Sequence, residues 1–249
     1  MTATADGLVL RVEIEGKRFP AIGGAPERPV LGAVRLSLQQ GEVAALTGPS
    51  GCGKTTLLNL VAGLDRDFRG RIELPGNRRL AYVFQEPRLL PWRTVEQNLA
   101  LVLHGRDDTG PVIDRVLGEV GLRDAAQTFA SRLSLGMARR VALARAFVVE
   151  PDLLLLDEPF ASLDQPTAWR LRLLLLDLLE RRRASALFVT HDLEEAVMLG
   201  KRLVSLSGQP ARIAADLTIS LTAPERRDPR VVARHAARLR AAAALPEVA

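Results

Sequence analysis

The sequence of 249 residues contains a single cysteine, so no disulfide can form within it. Aromatic residues make up only 4% of the chain, which leaves few rings for stacking bases. Long apolar runs are missing too. The most leucine-rich stretch, Leu171 to Leu179, is broken by Arg172 and Asp177 and falls short of the ~20 apolar residues that span a bilayer. The opening residues carry Asp6, Glu13 and Glu15 without a basic-then-apolar leader pattern, so a cytoplasmic protein is the expectation. No internal repeat or low-complexity linker stands out. With 47% hydrophobic and 25% charged residues, general disorder and collagen-like repeats are excluded. The length suggests one or two domains. Net charge is 34 − 29 = +5. The arginines fall in separate groups, Arg139/Arg140/Arg145, Arg181 to Arg183, and Arg226 to Arg240. They read as solvated helix faces, and no nucleic-acid partner is expected.

Periodicity gives an outline of the chain. Leu8 to Glu15 and Val34 to Leu38 alternate as strands do. Gly23, Gly24, Pro26 and Pro29 mark a loop between them. Val43–Leu46, Leu80–Phe84, Leu153–Leu156 and Ala186–Val189 are short apolar runs, the pattern of buried parallel strands. Helical patterns cover Lys54–Ala62, Thr94–Arg123 and Leu135–Val149, the last stopped by Pro151. A further helix is expected from a cap at Asp164 or Gln165, with Pro166 in its first turn, to about Arg182. Strands alternating with helices argue an α/β parallel sheet. The all-helical stretch at 87–150 is long enough to be a subdomain. The last helix sets Val231 and Val232 against Arg230, Arg234 and Arg238 and is amphipathic, with a small-residue tail at Ala241–Ala244.

Gly48-Pro49-Ser50-Gly51-Cys52-Gly53-Lys54-Thr55 fits the pattern G-x-x-x-x-G-K-[ST] at every position. An apolar strand precedes it and a helix-forming stretch follows. Glycines let successive N–H groups curl inward around a phosphate, and the next helix aims its positive end at the anion. Lys54 would reach the β- and γ-phosphates, and the Thr55 hydroxyl would ligate Mg²⁺. Cys52 reads as a loop residue, with no partnered base to make it a nucleophile. Leu153 to Leu156 is followed by Asp157 and Glu158. A carboxylate ending a buried strand can hold the Mg²⁺ shell. The next acid, Glu158, can polarise a water for in-line attack. His191, in Thr190-His191-Asp192, ends a neighbouring strand on the edge where ligands bind in such sheets, and would contact the γ-phosphate.

In order and spacing, these residues resemble the ATP-binding cassette family. The features are Gly48 to Thr56, Gln85, Leu133-Ser134-Leu135-Gly136-Met137, Leu153 to Glu158, Ala161-Ser162-Leu163-Asp164 and His191. The resemblance covers roughly residues 8–220. It implies a P-loop NTPase, a RecA-like parallel sheet core with N-terminal antiparallel β strands and an inserted α-helical subdomain. The implied division is an ATPase domain over 1–220, with the helical insertion at about 87–150, and a basic amphipathic helix over 221–249. The implied ligands are ATP and Mg²⁺. Gln85 looks like the residue that touches the metal and the attacking water, Asp164 like the one that couples two sites across a dimer. Phe19 stands where an aromatic ring usually stacks on adenine; the alternative is a strand-end core aromatic. Ser134 and the backbone near Gly136 would meet the γ-phosphate held by a second copy.

The segment at 133–137 departs from the family's usual Leu-Ser-Gly-Gly-Gln: Leu135 stands for the first Gly and Met137 for the Gln. A side chain at 135 hinders close backbone approach. A nucleotide-binding regulatory module with weak turnover therefore stands as an alternative, beside an exporter ATPase. The run Phe84 to Val95 is similar to the nitrate, sulfonate and taurine importers of the family. That resemblance implies an ATP-hydrolysing subunit at the inner face of the membrane. It would work as a dimer on integral permease subunits, and indirectly with a solute-binding protein. Leu89, Leu90 and Trp92, rimmed by Arg88 and Arg93, suit a permease helix, or else form subdomain core.

Overall fold

The computed structural model describes residues 7–243 apart from 22, 24, 25 and 77. Asp6, Gly24 and Ala244, which figured in the readings above, lie outside the described residues. The chain divides into two compact units, 1–78 with 185–249, and 79–184.

The first unit opens with β1 (Leu8–Phe19), a long strand whose buried and exposed residues alternate. It pairs antiparallel with β2 (Arg28–Leu31), β3 (Val34–Gln39) and β5 (Arg69–Glu73). Between β3 and β5 come β4 (Val43–Thr47), buried along its whole length, and α1 (Lys54–Val61).

The second unit holds the parallel pair β6 (Leu80–Val83) and β7 (Leu153–Asp157), in register from Leu80↔Leu153 to Val83↔Leu156. Its helices are α2 (Val95–Ala100), α3 (Gly110–Glu119), α4 (Leu135–Phe147) and α5 (Gln165–Arg182). The single helical stretch expected over Thr94–Arg123 is broken. After α2 and a short 3₁₀ turn, the polar run from His104 to Thr109 leaves the helix, with Gly105 at φ +80° and Asp108 at φ +51°. Glycine and aspartate are the residues that enter this left-handed region most readily. At α5 the cap falls on Asp164, whose Oδ1 accepts from the Thr167 N–H at 3.0 Å.

The chain then returns to the first unit with β8 (Ser185–Val189), α6 (Leu193–Leu199), β9 (Arg202–Ser207) and β10 (Arg212–Thr218). β4 lies between β8 and β9, parallel to both, and β10 pairs antiparallel with β9. β4 and β8 are fully buried, which explains their unbroken apolar sequence. Two helices finish the unit, α7 (Ala223–Arg226) and α8 (Pro229–Ala243). Val232 and Ala236 of α8 are buried, while Arg230, Arg234 and Arg238 are exposed, as the amphipathic pattern predicts. Arg226 is buried as well. It donates to the carbonyls of Val197, Met198 and Gly200, at 2.8, 3.1 and 2.6 Å, and so caps the C-terminus of α6 with a cation.

Candidate functional site

In the first unit the loop 48–53 runs from the end of β4 into α1. Gly48 has φ +144° and Gly53 φ +107°. Both are held closely from outside. A Cβ on Gly48 would stand 2.4 Å from the Leu206 carbonyl oxygen, and one on Gly53 2.8 Å from Val30 Cγ1. Glycine is needed at both for space as well as for backbone angle. Gly53 starts α1 with no side-chain cap, and no acid lies in the first turn. A helix beginning this way offers its N–H groups and positive end to an anion.

Lys54 is 7% exposed. Its ammonium donates to the carbonyls of Gly48 and Pro49, at 2.7 and 2.9 Å, and so folds over its own loop. Cys52 is buried; Ser50 and Thr55 are exposed and Thr56 is half-buried. These features fit a polyphosphate: an uncapped helix end, a glycine-built cradle and an ammonium poised on its rim.

His191 joins this group. Leu46 of β4 is in register with Val189 of β8, and the Thr190 N–H donates to the Leu46 carbonyl at 3.2 Å. His191 and the loop therefore leave adjacent strands at the same end. Asp192 caps α6, its Oδ1 accepting from the Glu194 N–H at 2.8 Å. Phe19 ends β1 and is 41% exposed, with the Lys17 ammonium 4.9 Å from its ring centre. A partly exposed ring of this kind can stack on a base.

In the second unit Asp157 ends β7 and is buried. Burial, then the negative charge of Asp157 and a hydrogen bond to it, push the Tyr82 hydroxyl well above the usual tyrosine range. Tyr82 is thus a neighbour of the Asp157 carboxylate, which the sequence alone does not reveal. Glu158 follows with φ +44°. A glutamate in the left-handed region carries backbone strain, of a kind found where a side chain must be aimed.

Gln85 lies two residues beyond β6, at the same end of the strand pair as Asp157. Ser134 caps α4, accepting from the Met137 N–H at 3.3 Å. The segment Leu135-Gly136-Met137 is thus the first turn of that helix. A Cβ on Gly136 would touch Thr167 Cγ2 at 3.0 Å, which sets Gly136 against the first turn of α5. Asp164, the cap of α5, is exposed, and its hydrogen bonds from Thr167 hold its carboxyl below the usual carboxylate range. Ser134, Gly136 and Asp164 therefore share one surface. Leu135 beside them is 43% exposed.

Among the described residues, no three or more His, Cys, Asp or Glu side chains group into a metal cage. A Mg²⁺ ion needs none. It is held through one or two protein oxygens, substrate phosphates and water; in the first unit Thr55 is exposed, and in the second Asp157 ends β7 as a buried carboxylate.

The loop and carboxylate motifs on this α/β scaffold define a phosphate-loop nucleoside triphosphatase. The chain belongs to the ABC transporter family, whose model matches residues 31–161, and it is an ATPase of that family. It is 45% identical over 217 residues to the aliphatic sulfonates import ATP-binding protein SsuB 2 of Burkholderia cenocepacia, covering 84% of this chain and 80% of that one. The corresponding SsuB 1 of Xanthomonas axonopodis pv. citri is 41% identical, over 95% and 96% of the two chains. The SsuB of Bacillus subtilis is 39% identical, over 88% of each. Among solved structures, the dimeric post-hydrolysis state of the ATP-binding cassette MJ0796 bound to ADP and Pi shares the fold. Its TM-score is 0.75 at 24% identity, covering 86% of this chain and all of that one. The P-loop fold expected from the sequence is borne out. Among the described residues no helix is long and apolar enough to cross a membrane.

Proposed function

We propose that the chain is the Mg²⁺-dependent ATP-hydrolysing subunit of an importer for aliphatic sulfonates. It works as a homodimer at the cytoplasmic face of the membrane. The observation that carries the ATPase part is the loop 48–53, with Lys54 donating to its own loop carbonyls at 2.7 and 2.9 Å. Those donors transfer to phosphate oxygens when ATP arrives, while the loop N–H groups cradle the β-phosphate. The solute class rests on the names of relatives at 39–45% identity.

Residue roles follow from chemistry. Phe19 stacks on the adenine. Gly48 to Gly53, with Thr56, line the phosphates. Bound through Thr55, Asp157 and Gln85, Mg²⁺ would supply charge neutralisation at the β- and γ-phosphates. Glu158 accepts the proton of the attacking water, and His191 contacts the γ-phosphate. Ser134, Gly136 and Asp164 complete the site of the partner copy. ATP closes the dimer because only the closed state offers both sets of contacts to the γ-phosphate. Residues 1–220 would carry the ATPase domain, with about 87–150 inserted, and the basic amphipathic α8, which finishes the first unit, would follow it.

The permease would dock on the segment that follows Gln85. Trp92 there is 69% exposed and Leu89 and Leu90 are half-buried, between the exposed Arg88 and Arg93. A solute-binding protein would deliver the sulfonate to the permease.

The test is growth of a strain lacking this chain. Failure on an aliphatic sulfonate as sole sulfur source, with normal growth on sulfate, is expected. Equal growth on both would remove the solute assignment.

A further inference from the structure

The loop that carries Gln85 is held from α4 by two arginines. Arg145 donates to the carbonyls of Pro87 and Arg88, each at 2.8 Å. Arg139 donates from one guanidinium nitrogen to the Gln85 carbonyl and from another to the Ala161 carbonyl at 3.0 Å. Ala161 lies in the loop that leads to Asp164. Arg139 is 5% exposed, and its Nε has no hydrogen-bond partner among the described residues. Glu86 favours its charge, but burial outweighs this and holds its pKa below the usual arginine value.

A buried guanidinium that leans on backbone carbonyls is a costly way to fill space, since an apolar side chain would pack there without desolvating a charge. What arginine adds is a planar fork that can grip two loops at once. It does so from the helix whose first turn is Leu135-Gly136-Met137.

We propose that Arg139 is a positioning residue for Gln85: gripping the Gln85 carbonyl, with Ala161 as its second anchor, it fixes where the Gln85 side chain stands during hydrolysis. This rests on the reading of the chain as an ATPase in which Gln85 serves the attack. Arg139 is buried against two backbone carbonyls and would act only through Gln85. Displacing a positioned group by about 1 Å can cost up to ~100-fold in rate.

The experiment compares Arg139→Met, Arg139→Lys and Gln85→Ala in the full chain, alone and combined. Arg139→Met is expected to lower kcat about 10-fold and to change the KM for ATP less than about 2-fold. Arg139→Lys, which keeps a donor without the fork, recovers part of the loss. In the Gln85→Ala background, Arg139→Met lowers kcat less than about 2-fold, because the group through which it acts is gone. A second readout needs no nucleotide. Amide hydrogen exchange of peptides over 84–88 rises in Arg139→Met, while that over 153–157 is unchanged. If Arg139→Met does not fold, Arg139→Gln takes its place.

The proposal is overturned if kcat is unchanged, if the loss is equal in both backgrounds, or if exchange over 84–88 does not rise. Wild type and Glu158→Gln run in the same assay. A wild type that turns over no ATP defeats the ATPase reading instead, and the exchange measurement still decides whether Arg139 holds the loop.

Discussion

Replacing Gly48 by alanine tests the phosphate loop as a built object. A Cβ at Gly48 would lie 2.4 Å from the Leu206 carbonyl oxygen and 3.1 Å from Cys52 Sγ. The first contact is with backbone in the middle of a sheet and has nowhere to move. Overpacking costs about 1–3 kcal/mol, and a left-side backbone angle of +144° adds roughly 1–3 kcal/mol for a residue with a Cβ. The sum, about 2–6 kcal/mol, is a large part of a typical stability of roughly 5–15 kcal/mol. In a chain of this size each kcal/mol moves the thermal midpoint by about 2–4 °C. Gly51 is the internal control. Its φ is +73°, yet nothing lies within 4 Å of a Cβ placed there, so only the backbone cost of ~1–2 kcal/mol applies to Gly51→Ala. Thermal unfolding followed by circular dichroism, without nucleotide, should show at least twice the midpoint loss for Gly48→Ala. Equal losses in the two variants would refute the argument from space.

Other predictions follow from single contacts. Arg226→Met strips the cation from the C-terminus of α6 and leaves buried carbonyls unpaired; denaturant unfolding should show a loss of about 3 kcal/mol, partly restored by Arg226→Lys. Leu135→Gly should raise ATP turnover about 3-fold by letting the partner copy's γ-phosphate approach the α4 backbone, and an unchanged rate would show that the side chain does not hinder it. Hydrogen bonding to Arg115, with Arg182 and Arg79 nearby, holds the Glu150 carboxyl below its ordinary value of 4.5. Its folded pKa is depressed, so its contribution is present above pH 4.5 and is lost as pH falls through the folded value. Glu150→Gln should therefore flatten the fall in stability on acidification from pH 6, measured by urea unfolding, and an identical pH profile would deny that contribution.

Much of the site was legible because its chemistry sits in short segments. The loop 48–55 needs glycines, a lysine and a hydroxyl at fixed spacing, and Asp157 needs only a buried strand before it. The buried parallel strands were legible for a related reason: β4, β7 and β8 are covered on both faces, and their sequences are almost wholly apolar. The strands left unread, β2, β5, β9 and β10, include edge strands. β5 (RGRIE) and β10 (RIAADLT) each pair on one side and stay partly exposed, so hydrophobic alternation is faint in both. The break after α2 was readable in principle, since the run from His104 to Thr109 has the composition of a turn. Arg139 and Tyr82 were not. An arginine mid-helix reads as a solvated face, and only the fold shows that this one is buried against the carbonyls of Gln85 and Ala161. Tyr82 reads as a strand residue until its hydroxyl is seen to meet Asp157.

Hydrolysis by two copies of this chain, with Glu158 as the base, is the step on which the proposed function turns. Its most direct test is the rate of Mg²⁺-ATP hydrolysis per molecule as protein concentration rises, for wild type beside Glu158→Gln. The expected result is a specific rate that climbs with concentration, and a variant that binds ATP but does not turn it over. A specific rate independent of concentration, or a Glu158→Gln protein as active as wild type, would contradict it.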